Sequence, residues 1–145
     1  MGEFILIMMD NQSTEVCFYS YNSRGIGANK VQFINDLLSL PSKPSVFCLQ
    51  EHFLLRNNLY KLSKSFPDYA VIPKPAYKNF SSQNSGRPMG GLATIVPKDW
   101  RKYVTVLESL SWRLQPLKFK INEESVLLVN SYFPTDPKTI TLENV

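Results

Sequence analysis

A chain of 145 residues with 43% hydrophobic and 12% aromatic residues can bury a core of its own, which excludes intrinsic disorder as the first interpretation. The net charge of +4 favours a polyanionic partner only weakly, because many ordinary domains are as basic. The two cysteines, Cys17 and Cys48, each lie inside an apolar run, so the sequence indicates neither a disulfide framework nor a C-x-x-C zinc site. We expect both to be reduced core residues.

The first apolar run covers residues 4–9 and is bracketed by Glu3 and Asp10. It is far shorter than the roughly 20 residues of a membrane span, and no basic segment precedes it as in a signal peptide. We therefore expect no membrane partner and an intracellular protein, with a nuclear location as one alternative. Residues 1–15 are interpreted as an extension of uncertain structure, and a short first strand is equally compatible with them.

A strand, a helix and a second strand are predicted next. Residues 16–21 form a β-rich run that ends at the turn signal of residues 22–25. Asn29 is a competent helix N-cap, and apolar residues follow it at helical spacing until Pro41. The uninterrupted apolar run 46–49 is typical of a strand buried on both faces, so the unit predicts a parallel crossover.

The rest of the chain is predicted to be mainly β-structure. A loosely helical segment at 54–66 leads to a strand at 69–72, and the long polar stretch 73–90 predicts a loop with a function. Further strands are predicted at 91–96, 104–110, 114–121 and 126–132, with a hairpin turn at 121–126. The sequence thus predicts an α/β fold, β-rich, with one mixed sheet and flanking helices.

Three predicted strands end in polar residues, at Asn22, at Glu51 and at Tyr132. If the strands are neighbours, these ends converge at one edge of the sheet, where ligands bind in open α/β folds. A lone carboxylate such as Glu51 is then a candidate ligand for Mg²⁺, and a simple solvated glutamate is the alternative. His52 is the one histidine of the sequence, and a structural or solvated role is favoured over a catalytic one.

Basic residues are spread over the loops and element edges, as phosphate contacts would be, although solvated surface charge explains them nearly as well. The glycines at 86, 90 and 91 are interpreted as residues that let the chain turn tightly into the next strand. The candidates for nucleic-acid binding are Arg24, Lys74, Lys78 and Arg87, among a wider set that includes Lys30, Lys98, Arg101 and Lys102.

Four segments, in this order, carry a resemblance to a known family: residues 21–25, 46–52, 86–96 and 129–136. Together they resemble the endonuclease/exonuclease/phosphatase superfamily, whose members include apurinic-site endonucleases and DNase I-like enzymes, and within it the endonucleases of non-LTR retrotransposons. The resemblance covers residues 16–136. It implies that Asn22 organises an active site, that Glu51 binds Mg²⁺ or Mn²⁺, and that Tyr132 contacts the scissile phosphate of a DNA substrate.

The family completes its site with a Gly-Asp-x-Asn segment and an Asp-His pair, and neither occurs in this sequence. The resemblance therefore implies that residues 16–145 are the N-terminal portion of a DNase I-like domain, incomplete at the C-terminus. On that basis we expect weak metal binding, negligible nicking of target DNA by this chain alone, an exposed inner sheet face and the missing C-terminal half as a partner. The alternatives are a non-catalytic nucleic-acid-binding half-domain and a phosphatase or phosphodiesterase of the same superfamily.

Overall fold

The computed structural model describes residues 5–7, 16–40, 45–78, 86–121 and 123–133. They form a five-stranded mixed sheet, in the order β1-β2-β3-β5-β4, and a three-stranded antiparallel sheet, in the order β6-β7-β8. The first sheet comprises β1 (Ile5–Ile7), β2 (Val16–Asn22), β3 (Ser45–Gln50), β4 (Tyr69–Lys74) and β5 (Leu92–Pro97). The second comprises β6 (Val104–Val106), β7 (Leu114–Ile121) and β8 (Glu124–Ser131), and the α-helices are α1 (Ala28–Leu38) and α2 (Tyr60–Ser65).

The predicted parallel pairing of the first two long strands is confirmed. Strands β2 and β3 run parallel, with α1 between them in the chain, and their register sets Asn22 beside Gln50. Strand β5 then pairs antiparallel with β3, which sets Gln50 beside Leu92. The C-terminal ends of β2 and β3 and the first residue of β5 therefore meet at one edge of the sheet. Of the N-terminal extension, residues 5–7 pair antiparallel with β2.

Helix α1 begins two residues earlier than predicted, because Gly27 and not Asn29 precedes its first turn. The carbonyl of extended Gly27 accepts the backbone N–H groups of Lys30 and Val31, so Asn29 lies inside the helix. Helix α2 covers only part of the predicted segment 54–66. The residues before α2 do not continue the helix, because the Leu54 carbonyl accepts the N–H of Ala76 at 2.9 Å. A short 3-10 helix at Arg56–Asn58 precedes α2 instead.

Two apolar cores lie on opposite faces of the first sheet. On one face the helices pack against the strands, with Ile34 and Leu38 of α1 and Leu62 of α2 buried over Phe47 and its neighbours. The other core contains residues of both sheets: Val16, Val46, Ile72, Val96, Val104, Leu117 and Phe119. The prediction of a single mixed sheet with an exposed inner face is therefore wrong, because β6, β7 and β8 form a second sheet that covers that face.

Several boundaries also differ from the predictions. Strand β6 ends at Val106, four residues short of the predicted end, and a 3-10 helix at Lys98–Tyr103 joins β5 to β6. The predicted loop 73–90 begins inside β4 and contains a bridge between Tyr77 and Met89, while residues 79–85 lie outside the described part. The hairpin between β7 and β8 is confirmed by the pairing of Ile121 with Glu124.

Both cysteines are free thiols, as predicted. Cys48 is buried in β3, and burial raises the pKa of its thiol to about 12, which makes it an inert core residue. Cys17 is only half-buried. In the described ranges, no helix combines the length and the hydropathy needed to cross a membrane.

Candidate functional site

The site is built where β2 and β3 end. Because Asn22 pairs with Gln50, the next residue, Glu51, lies within reach of the asparagine side chain. The Nδ2 group of Asn22 donates to Oε1 of Glu51 at 2.9 Å, and its Oδ1 accepts the backbone N–H of Arg24 at 3.2 Å. The second bond fixes the amide so that its N–H end faces the carboxylate. Asn22 therefore orients Glu51.

Tyr132, directly after β8, reaches the same carboxylate from the second sheet. Its hydroxyl hydrogen-bonds to Glu51, and its backbone N–H donates to the carbonyl of Arg113 at 2.9 Å. Burial raises the pKa of the Tyr132 phenol, and the negative charge of Glu51 and their hydrogen bond raise it further. The phenol is therefore protonated at neutral pH and acts as a donor. The structure brings together the three residues that the sequence singled out for catalysis and metal binding.

The backbone around Glu51 is strained. Arg24, Glu51 and Phe53 have φ angles of 48°, 57° and 61°, a left-handed conformation that costs a non-glycine residue on the order of 1–3 kcal/mol. Surrounding hydrogen bonds hold it: Gly25 N–H donates to the Glu51 carbonyl at 2.6 Å, and Phe53 N–H donates to the Gly90 carbonyl at 3.1 Å. Such strain clusters at functional sites. Here the left-handed conformation turns the chain immediately after β3, at the residue that carries the carboxylate.

His52 points away from the carboxylate into the protein and is buried. Its Nε2 lies 3.1 Å from the carbonyl of Lys74 and 3.2 Å from that of Leu92, while Nδ1 accepts the N–H of Leu54 at 2.9 Å. These partners require a proton on Nε2 and none on Nδ1, so the ring is neutral. Both ring nitrogens are engaged, and His52 joins β3 to the ends of β4 and β5 as a structural residue.

The neutral state of His52 predicts a loss of stability in acid. Burial lowers the pKa of this imidazole below its ordinary value near 6.5, and the two carbonyl contacts only partly offset the effect. The unfolded chain therefore binds the proton more readily, so stability is fully present above pH 6.5 and falls as the pH drops towards the folded-state pKa. We expect urea midpoints to decline between pH 6.5 and 5, and the decline to be smaller in His52→Gln. An equal decline in both proteins would contradict this assignment.

A buried polar network lies beneath the site and joins the two sheets. Asn130 of β8 donates to the backbone carbonyls of Leu49 and Ala93, at 3.3 and 3.1 Å, and accepts from Nε2 of Gln50 at 2.8 Å. Gln115 of β7 accepts from Thr94 of β5 at 2.8 Å. Because Asn130 lies two residues before Tyr132, these bonds fix where Tyr132 meets Glu51. The sequence signal for the network was polar residues within otherwise apolar strands.

The four predicted nucleic-acid contacts have different surroundings. Arg24 and Arg87 are exposed, and the Arg87 guanidinium lies 4.9 Å from the ring centroid of Phe53, two residues from Glu51. Lys78 is half-buried and lies beyond the end of β4.

Lys74 has a structural role that the sequence did not indicate. Its ammonium group donates to the carbonyls of Ser109, Ser111 and Leu114, at 3.2, 2.7 and 2.6 Å, and burial lowers its pKa. Three contacts engage all three N–H donors of the ammonium group, so Lys74 holds the 107–114 loop in place. A nucleic-acid contact by Lys74 stays a prediction.

Two functional candidates were missed by sequence analysis, Trp112 and Arg113. Arg113 is 5% exposed, and its guanidinium lies 4.8 Å from the ring centroid of Trp112. Its positive charge favours the ionised form of Tyr132, which opposes but does not outweigh burial and Glu51. The signal in the sequence for Arg113 was its position at the start of an amphipathic strand. Arg113 adds a positive charge beside the Tyr132 phenol.

Within the described ranges, no three His, Cys, Asp or Glu side chains cluster closely enough to hold a metal ion together. Glu51 is thus a single carboxylate supported by Asn22 and Tyr132. Comparisons of the chain with protein-family models, with curated proteins and with solved structures found no match.

Proposed function

We propose that this chain carries part of a metal-dependent phosphodiesterase site of the endonuclease/exonuclease/phosphatase type, directed at DNA, as in the target-nicking endonucleases of non-LTR retrotransposons. The observation that carries the proposal is the meeting of Asn22, Glu51 and Tyr132 at converging strand ends. An amide and a phenol from different sheets both hydrogen-bond to one half-buried carboxylate, whose backbone is strained. Backbone strain of this kind is typical of functional sites. We further propose that the two packed sheets belong to a DNase I-like sandwich.

The donor set fits a weakly held, largely hydrated Mg²⁺ or Mn²⁺. Mg²⁺ uses only one or two protein carboxylates and completes its shell with water and phosphate oxygens. Glu51 would be the ligand, and Asn22 would position it, because the amide turns its N–H end towards the carboxylate. A bound ion would supply positive charge to a phosphate oxygen.

Tyr132 would act on the phosphate itself. A phenol with a raised pKa stays protonated and can donate its one hydrogen bond to a phosphate oxygen in place of Glu51, but it cannot serve as the base that activates water. His52 is unsuited to that task too, because both of its ring nitrogens are engaged. We therefore expect binding of metal and phosphate without rapid hydrolysis by the 145-residue chain.

Mn²⁺ binding tests the proposal directly. We expect the chain to bind Mn²⁺ in the millimolar range, measured by electron paramagnetic resonance of the free ion, and Glu51→Gln to weaken binding about tenfold or more, since the carboxylate supplies the charge. Glu124→Gln is the matched control, because Glu124 is exposed and lies at the opposite end of β8 from Tyr132. Equal affinity of the wild-type and Glu51→Gln proteins would remove Glu51 as the metal ligand.

A nucleic-acid-binding module that does not cut is the second candidate. It is favoured by the lone carboxylate beside the exposed Arg24 and Arg87. Its distinguishing property is salt-sensitive binding of DNA that is unchanged by chelators and by Glu51→Gln. DNA binding that is strengthened by Mg²⁺ and weakened by Glu51→Gln would instead decide for the metal-dependent site.

A further inference from the structure

Three aromatic rings form a continuous row that starts at the candidate site. Tyr132, whose hydroxyl bonds to Glu51, has its ring centroid 6.0 Å from that of Trp112. Trp112 in turn stacks on Tyr77, with centroids 5.5 Å apart and planes inclined by only 16°. Tyr77 ends the row and is 40% exposed. We call Tyr77, Trp112 and Tyr132 the aromatic row.

The aromatic row is held rigidly from both sides. Tyr77 is fixed by two backbone bonds with Met89, at 2.9 and 2.8 Å. The loop that carries Trp112 is fixed by the Lys74 ammonium through the carbonyls of Ser109 and Ser111. Gly90 passes close to the rings, since a Cβ there would lie 2.6 Å from Cζ3 of Trp112. Large rings kept in one arrangement at the surface lose little entropy when a flat ligand stacks on them.

The charge around the aromatic row suits a nucleic acid. The Arg113 guanidinium lies over Trp112, and exposed Arg87 lies over Phe53, next to the loop of Glu51. Aromatic rings that alternate with cations are the usual means of binding single strands, because every base offers a flat face and every nucleotide a phosphate. A base stacked on Tyr77 would extend a stack that leads to the phosphate-facing Tyr132.

We infer that Tyr77, backed by Trp112, forms a stacking surface for an unpaired nucleobase of the DNA strand whose phosphate lies at Glu51 and Tyr132. The inference rests on the proposed function for the choice of DNA. It adds that the substrate presents unstacked bases beside the target phosphate, as single strands, mismatches or distorted duplexes do. A base-paired, undistorted duplex gains no binding affinity from this surface, because its bases are already stacked.

The test is binding of a fluorescently labelled oligothymidine to the 145-residue chain, followed by fluorescence anisotropy in EDTA. Without metal, the result does not depend on Glu51 as a ligand, so it can fail or succeed independently of the Mn²⁺ experiment. We expect Tyr77→Leu to weaken binding about fivefold or more and Tyr77→Phe to bind like the wild type. A fully paired hairpin should bind more weakly than the single strand and should not respond to Tyr77→Leu.

Tyr103→Leu is the matched control. Tyr103 is 48% exposed and Tyr77 40%, and Tyr103 has the Lys102 ammonium 5.0 Å from its ring centroid, so it matches Tyr77 in exposure and also has a cation nearby. It follows the Pro97 end of β5, whereas the site lies at the Leu92 end. Circular dichroism checks that each variant is folded. Equal losses in both leucine variants, an unchanged Tyr77→Leu, or no binding by the wild type would each overturn the inference.

Discussion

Gly91→Ala is expected to destabilise the protein by about 3 kcal/mol or more. Gly91 has a φ of +88°, which strains any residue with a Cβ, and that Cβ would lie 2.5 Å from Cε1 and 2.6 Å from Nδ1 of His52. The imidazole cannot easily move aside, because its two nitrogens contact the Lys74 and Leu92 carbonyls and the Leu54 N–H. Urea unfolding followed by tryptophan fluorescence measures the loss.

Gly27→Ala is the control for this substitution. A Cβ at Gly27 would meet nothing within 4 Å, and its φ of −99° is open to any residue, so we expect a change of less than about 1 kcal/mol. Gly91→Ala combined with His52→Ala should separate the two causes, because removal of the ring relieves the overlap but not the backbone strain. A loss below about 1 kcal/mol in Gly91→Ala itself would contradict the close approach of Gly91 and His52.

Asn130→Asp is expected to cost about 3 kcal/mol or more at pH 8, although the two side chains have nearly the same shape. Asn130 is 2% exposed, and its Nδ2 group donates to the Leu49 and Ala93 carbonyls. A carboxylate would bury a charge and turn an oxygen towards those carbonyls. Because the folded protein would favour the protonated acid, its pKa is raised, so the stability lost at pH 8 should return in part as the pH falls towards 5.

Asn57→Asp provides the comparison, since Asn57 is exposed in the 3-10 helix that precedes α2. It should change the free energy of unfolding by less than about 0.5 kcal/mol at either pH. In Asn130→Asp we also expect weaker Mn²⁺ binding at neutral pH, because Asn130 sets the position of Tyr132 relative to Glu51. An Asn130→Asp protein as stable as the wild type at pH 8 would show that the network between the sheets is open to water.

Local sequence patterns predicted several elements well. The run 16–21 and the run 46–49 are the centres of β2 and β3, and their parallel pairing followed from the helix between them. Both strands are apolar enough to be recognised without knowledge of their neighbours. The hairpin of β7 and β8 was predicted for the same reason, because alternation and turn residues are local properties.

Predictions failed where a distant contact determined the local structure. The segment before α2 does not continue as a helix, because Ala76 donates to the Leu54 carbonyl. Strand β6 is short, since the carbonyls that follow it are bound by Lys74, more than 30 positions earlier in the chain. The division into two sheets was missed, because periodicity identifies the apolar face of a strand but not which face it packs against.

By itself the sequence determined that Asn22, Glu51 and Tyr132 lie at strand ends, because a polar residue after an apolar run can be recognised locally. Only the tertiary structure decided that the three meet, that His52 is a buried neutral ring, and that Lys74 is a structural contact. It also added Trp112, Arg113 and Asn130 to the site. The physical reason is that strand register and sheet packing join residues about 30 to 80 positions apart, and no local pattern records those distances.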